Sequence, residues 1–279
     1  MRWLGRRSSN NVVDRRGNGG KVIGGGIGTL VIVVIISLIT GKNPLQYIDS
    51  SAVTDTQTAY VPTPTEEENA KFVSVVLAET EDVWNKLFDE QLNANYIEPK
   101  LVLFSGSDQS GCGAANAATG PFYCSEDSRV YIDLSFYDEL KNRFKAPGDF
   151  AMAYVIAHEV GHHIQHLQGI SDKIHQQKQQ FNEKDANELS VRLELQADFF
   201  AGVWAHYAAR MNLLEKGDIE EALNAANAIG DDRLQQQSQG YVVPDAFTHG
   251  TSKQRVFWFK KGYDSGIISE GDTFAAKSL

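Results

Sequence analysis

Cysteine is scarce here: the 279-residue chain holds only Cys112 and Cys124. They stand twelve positions apart with no C-x2-4-C pair, so a cysteine-built zinc module is a poor reading. A G-x-S-x-G elbow is also absent, and with it the usual sequence sign of a serine nucleophile in an α/β hydrolase. Positive charge is in short supply. The net charge is −10, and because residues 1–40 carry +5, the remainder carries −15. An acidic main domain argues against nucleic acid as a partner. Core-forming residues are plentiful by contrast: 42% of the chain is hydrophobic, with 14 Phe, 10 Tyr and 4 Trp, ample for one substantial domain.

Residues 22–40, VIGGGIGTLVIVVIISLIT, carry no charge and are almost wholly apolar. A helix of that length roughly crosses a hydrocarbon core of about 30 Å. Arg2, Arg6, Arg7, Arg15, Arg16 and Lys21 precede it, which predicts a cytoplasmic N-terminus and an exported main domain. The segment ends in SLITGKNP without an A-x-A-like cleavage site, favouring an uncleaved signal anchor. A cleaved signal peptide and a buried core segment are the other two readings. The expected organisation is therefore a basic cytoplasmic tail over 1–21, a transmembrane anchor over 22–40, a polar linker over 41–67 and a domain over 68–279. Pro44, Pro62 and Pro64 amid Ser, Thr, Asp and Gln suggest the linker.

Within the domain, Phe72, Val73, Val76, Leu77, Trp84, Leu87 and Phe88 recur at helical spacing from Glu66 onward. LVLFSG at 101–106 and the alternating stretch from Arg129 to Leu134 predict strands. The second of these could be an edge strand that holds an extended substrate by β-pairing. Between them, Cys112 and Cys124 close a glycine-rich loop if they form a disulfide; two buried thiols or half of a metal site are the alternatives. Pro147-Gly148-Asp149 then breaks the chain, with Asp149 as a candidate N-cap of a helix ending near Gly169.

That helix carries AHEVGH. His158 and His162 are one turn apart and project from one face, with Glu159 beside them. Two imidazoles plus an adjacent carboxylate base are the physical content of H-E-x-x-H: two zinc ligands, and a base for a water held by the same metal. Zinc needs a third protein ligand. Downstream, ELSVRLELQADFFAGVWAH has helical periodicity, and Glu194 and Asp198 share one face of an otherwise apolar surface. Two carboxylates there are costly unless paired or bound to metal. Glu194 would complete a His2Glu set, and Asp198 would orient a ligating histidine through its other ring nitrogen. The plainer alternative pairs both acids with Arg192, Arg210 or solvent.

His163, with no histidine four positions back, is a weaker candidate. His249 lies in the polar turn DAFTHGTSKQR and could donate to a developing oxyanion, or serve structure, or bind metal. Arg255 could order that loop through a carboxylate, and Tyr131 and Tyr154 are further candidates for oxyanion or substrate contacts.

Taken together, MRWLGRRSSNNVVDRRG, CGAANAATGPFYCSEDSRVYIDLSF, AHEVGHHIQ, ELQADFFAGVWAH and DAFTHGTSKQR resemble the neutral zinc metallopeptidase family of membrane-anchored bacterial proteins, over nearly the whole chain. The resemblance implies one Zn2+ on His158 and His162, Glu159 as base, and a bacterial inner-membrane location with a periplasmic domain. More broadly the pattern is similar to the gluzincins, which implies Glu194 as third ligand and Asp198 as the support of a ligating histidine. The expected fold is α+β, a mostly helical zincin-like domain with a small β-sheet, preceded by one transmembrane helix. The expected function is zinc-dependent endopeptidase action on polypeptides. A zinc amidase or peptidase of cell-wall peptides and a non-catalytic zinc-containing scaffold of the envelope are the alternatives.

Overall fold

The computed structural model describes residues 1–17, 60–116 and 119–279. Helix α1, Pro64–Leu87, starts where local chemistry favours it: Thr63 caps Glu66 reciprocally and proline occupies the first turn. Its stripe of Phe72, Val73, Val76, Leu77, Trp84 and Leu87 is buried in the main core. A π turn, Phe88–Leu92, ends at Asn93 in the left-handed region, and the chain then enters the sheet.

Four strands form that sheet in the order β1, β2, β6, β5. Strands β1 (Val12–Asp14), β2 (Lys100–Phe104) and β6 (Arg129–Asp133) run parallel, and β5 (Phe122–Cys124) closes one edge antiparallel to β6. The alternation of side chains divides the sheet into two faces. Leu101, Leu103, Val130 and Ile132 enter the helical core. Val102, Phe104 and Tyr131 form a smaller cluster with Ala115 and Cys124 on the other side. The hairpin of β3 (Ser107–Ser110) and β4 (Gly113–Asn116) lies in this second region, where Cys112 and Cys124 are joined by a disulfide. Arg129–Asp133 is thus an interior strand. The edge expected there belongs to β5, because the chain doubles back before β6.

Helices make up the rest: α2 (Asp149–Leu167), α3 (Ile170–Lys178), α4 (Glu183–Arg210), α5 (Asp218–Ala228), α6 (Asp231–Gln239) and α7 (Ser252–Ser265). Helix α4 is the central support, packed on α2 and α7. Its crossing with α7 is backbone to backbone. A Cβ on Gly202 would stand 2.0 Å from the Phe259 carbonyl oxygen, and one on Gly262 would stand 2.0 Å from that of Phe199. Only glycine permits that approach at both positions.

The amino-terminal residues belong to this core, which corrects the expected tail and anchor. Met1 and Trp3 are buried, and the Met1 amino group lies 2.8 Å from Asp149, which follows the Gly148 N-cap of α2. Arg6 pairs at 3.0 Å with Glu79 and Arg7 at 3.1 Å with Glu81, both carboxylates buried on α1. Val12–Asp14 adds a strand to the sheet. A single crossing between residues 17 and 60 would put these partners on opposite sides of a bilayer. The single-pass topology, with its cytoplasmic tail, membrane partner and periplasmic, inner-membrane placement, is therefore incompatible with the fold. No helix among the described residues is long and apolar enough to cross a membrane. The apolar run 22–40 itself lies outside the described residues. The chain leaves and re-enters the described structure at one place, since a Cβ on Gly17 would lie 2.7 Å from that of Tyr60.

Candidate metal centre and active site

Helix α2 presents His158, Glu159 and His162 to a cleft, and α4 crosses it so that Glu194 meets both imidazoles. The crossing is close because residue 161 is glycine: a Cβ there would stand 2.9 Å from the Ala197 carbonyl oxygen. Glu194 Oε2 lies 3.1 Å from His158 Nε2, and Oε1 lies 3.4 Å from His162 Nε2. Donors in a tetrahedron with zinc bonds of roughly 2.0–2.1 Å are about 3.4 Å apart. The donor atoms of the three residues all lie within 4.8 Å of one another, so two nitrogens and a carboxylate oxygen converge as zinc requires.

Behind His158 stands a buried ionic cluster. Its Nδ1 is 2.9 Å from Asp198 Oδ1, which fixes Nδ1–H as donor and leaves Nε2 facing the cleft. Asp198 is fully buried and is gripped by Arg255 through Nε at 2.8 Å and Nη2 at 3.0 Å. Burial pushes the Asp198 carboxyl up, but Arg255 and His158 outweigh it and hold the group at about 2. Burial works against His158 protonation, yet Asp198 and Glu194 prevail and raise its pKa to about 10. Glu194, also penalised by burial, is kept well below the usual carboxylate range by His162 and His158. Glu159 differs in sign. Burial pushes its carboxyl up, the direction that suits a general base.

The other residues singled out in the sequence have definite places. Tyr154 is buried, and its hydroxyl donates to Asp198 and accepts from Arg255 at 3.2 Å. Tyr131 belongs to the small cluster beneath the sheet, where its hydroxyl donates to Asp127 at 2.6 Å. His163 is buried against β5, with Nε2 donating to the Ile97 carbonyl at 2.6 Å and Nδ1 accepting from Tyr123 at 3.0 Å. Burial lowers it to about 4, so it is a neutral packing histidine. His249 lines the cleft half-exposed, with Nδ1 3.2 Å from Asp231 Oδ1. Three successive backbone N–H groups, from Thr248 to Gly250, donate to Asp231 Oδ2 and hold the turn. Burial opposes His249 protonation, but Asp231 outweighs it and raises the pKa.

Some members of the site carried little sequence signal. Asp231 sits in GDDR, which looks like an ordinary polar loop. Gln165 is three residues beyond His162 on the same helix face, a spacing that does point to it once His162 is suspected. Tyr123 of β5 and Glu159 line the same cleft, and β5 has a strand neighbour on one side only.

The family model that matches residues 1–274 is described as "Putative neutral zinc metallopeptidase". The chain belongs to this family. It is a zinc metallopeptidase with one catalytic Zn2+, and His158, His162 and Glu194 form a candidate triad for holding it. Uncharacterized protein YpfJ of Escherichia coli K12 is 52% identical over 284 residues, covering 98% of this chain and 99% of the relative. Uncharacterized protein Rv2575 of Mycobacterium tuberculosis H37Rv is 42% identical over 208 residues, covering 71% of this chain and 68% of the relative. No solved structure matches.

Proposed function

We propose that the cleft hydrolyses internal peptide bonds of an extended polypeptide, with Glu159 as general base and His249 as donor to the developing oxyanion. The observation that carries this reading is the course of the cleft. It has a volume of about 860 Å³, runs past His158, His162 and Glu194, and is bordered by Phe122 and Tyr123 of β5 with Gly120, Pro121 and Ser125 on either side. Among the described strands, β5 is paired on one side only. A substrate strand laid along the free edge would gain backbone hydrogen bonds without regard to sequence and pass directly over Glu159.

Zinc in this site supplies Lewis-acid polarisation of the scissile carbonyl and acidifies the attacking water. Glu159 takes the proton of that water, aided by a carboxyl that burial makes more basic, and returns it to the leaving amine. His158 is held by Asp198 with Nε2 turned to the cleft, and Arg255 and Tyr154 keep Asp198 in place. His249, whose protonated form Asp231 favours against burial, offers its ring N–H to the oxygen on which negative charge grows.

The test is a digestion screen with the full chain, zinc loaded, against unfolded proteins, a peptide library and cell-wall peptides. Mass spectrometry should find internal fragments from the wild type and none from Glu159→Gln, which keeps its zinc. Release of terminal residues alone, or equal cleavage by the Glu159→Gln variant, would overturn the proposal. Cleavage of the cell-wall peptides alone would support the narrower substrate class.

A further inference from the structure

The two histidines are held at Nδ1 by different chemistry, and on that side of His162 the partners are uncharged. Its Nδ1 lies 2.9 Å from Oε1 of Gln165. The Gln165 amide nitrogen donates to the Leu193 carbonyl at 2.7 Å and to Oε1 of Gln196 at 3.1 Å. Gln196 in turn donates through Nε2 to the Gly271 carbonyl at 2.9 Å. Both amides are buried, Gln165 completely.

Direction is enforced in this chain. A backbone carbonyl can only accept. Leu193 therefore compels Gln165 to present nitrogen on that side, and Gly271 compels Gln196 to do likewise. With its nitrogen committed, Gln165 has only an oxygen to offer His162. An oxygen is met well only by Nδ1–H, so the lone pair of the neutral imidazole is placed on Nε2, which faces Glu194 Oε1 at 3.4 Å. Reversing the tautomer would set two acceptors against each other in a buried site.

We infer that Gln165 and Gln196 are positioning residues for the zinc site, fixing the tautomer and ring orientation of His162 through a relay anchored on the Leu193 and Gly271 carbonyls. The Gly271 anchor comes from the carboxy-terminal segment, itself fastened to α4 by Thr273, whose hydroxyl donates to the Arg192 carbonyl at 2.7 Å. Residue 271 must be glycine for that carbonyl to reach Gln196, because a Cβ would enter the Phe199 ring at 2.4 Å. The inference rests on the zinc site alone and is independent of the substrate.

Zinc affinity measured by chelator competition tests it, alongside thermal unfolding of the metal-free protein. Gln165→Leu fills similar space but leaves Nδ1 without an acceptor, and should weaken zinc binding about 10- to 100-fold. Gln165→Glu keeps an oxygen acceptor for the His162 Nδ1–H and should bind zinc within a few-fold of wild type. Gln196→Leu should give an intermediate loss, since Gln165 keeps its bond to Leu193. In the zinc-loaded protein, the His162 Nδ1–H proton should be protected from exchange in the wild type and the Glu variant, and exposed to exchange in Gln165→Leu. Wild-type zinc affinity in a folded Gln165→Leu protein would overturn the inference. So would equal losses of zinc affinity in the Leu and Glu variants, which would assign the site a packing role. If Gln165→Leu does not fold, Gln196→Leu decides: unchanged affinity and Nδ1–H protection there would refute the relay.

Discussion

Gly161 and Ala197 touch so closely that a single methyl group between them would have to displace a helix. The missing Cβ of Gly161 would stand 2.9 Å from the Ala197 carbonyl oxygen and 3.1 Å from its Cα. Glu194 lies one turn before Ala197 and Asp198 directly after it, so this contact sets how far both carboxylates stand from the histidines. Gly161→Ala should therefore reveal a conflict of signs. Helix propensity alone would favour alanine by roughly 0.8–1.0 kcal/mol. Overpacking should cost about 1–3 kcal/mol and win. The expected result is a metal-free protein that is no more stable than wild type and binds zinc more weakly. Higher stability with unchanged zinc affinity would show that the helices have room to spare.

Removing Arg255 should be costly even without substrate. Its guanidinium supplies the balancing charge for fully buried Asp198, and it is itself buried. Breaking a buried pair by deleting one partner costs about 3–5 kcal/mol, because the other charge is left uncompensated. Arg255→Met should lose stability on this scale in urea unfolding of the metal-free protein. A loss under about 1 kcal/mol, the scale of an exposed pair, would mean that water reaches Asp198.

The pH profile should report on Asp231. The His249 pKa is raised in the folded protein because Asp231 outweighs burial. If protonated His249 donates to the oxyanion, activity is present below its pKa and lost as pH rises through it. Asp231→Asn removes the stabilising charge, lowers that pKa, and should move the alkaline limb of kcat/KM to lower pH. An unmoved limb would assign it to another group.

Arg6→Met tests the amino-terminal clamp. Glu79 is buried, and both oxygens accept from Arg6, at 3.0 and 3.1 Å. Losing this charge-assisted pair should destabilise the domain by roughly 1–3 kcal/mol, with the partial exposure of Arg6 favouring the lower end. A tail detached from the domain would give no change, so thermal unfolding distinguishes the two arrangements.

The grouping of His158, His162 and Glu194 was legible because its geometry is local. His158 and His162 share one helix, Glu194 and Asp198 share another, and each pair is spaced by four residues. Periodicity alone puts the members of a pair on one face. The mostly helical domain with its small sheet was legible for the same reason, from repeating apolar stripes. What escaped was pairing between distant parts of the chain. Arg255 meets Asp198, and Asp231 meets His249, through folding that no spacing encodes. The strand facing the cleft is β5, only three residues long and too short to show alternation. Most misleading were Arg6 and Arg7. Upstream of an apolar run they carry the signature of a cytoplasmic flank, while their partners Glu79 and Glu81 look like ordinary acids on a helix. Charge counting cannot tell an arginine that faces lipid headgroups from one that closes a core.

The amino-terminal strand also imposes an order on assembly. Val12–Asp14 leaves the ribosome well before Leu101–Leu103, its only strand neighbour among the described residues. The acids that receive Arg6 and Arg7 are likewise made more than seventy residues later. Residues 12–14 must therefore wait, unpaired, while their docking site is built. Contacts of such long sequence separation slow folding, since the loop between them must close before any pairing energy is returned. In this protein strand β1 is made early and is a late piece of the fold.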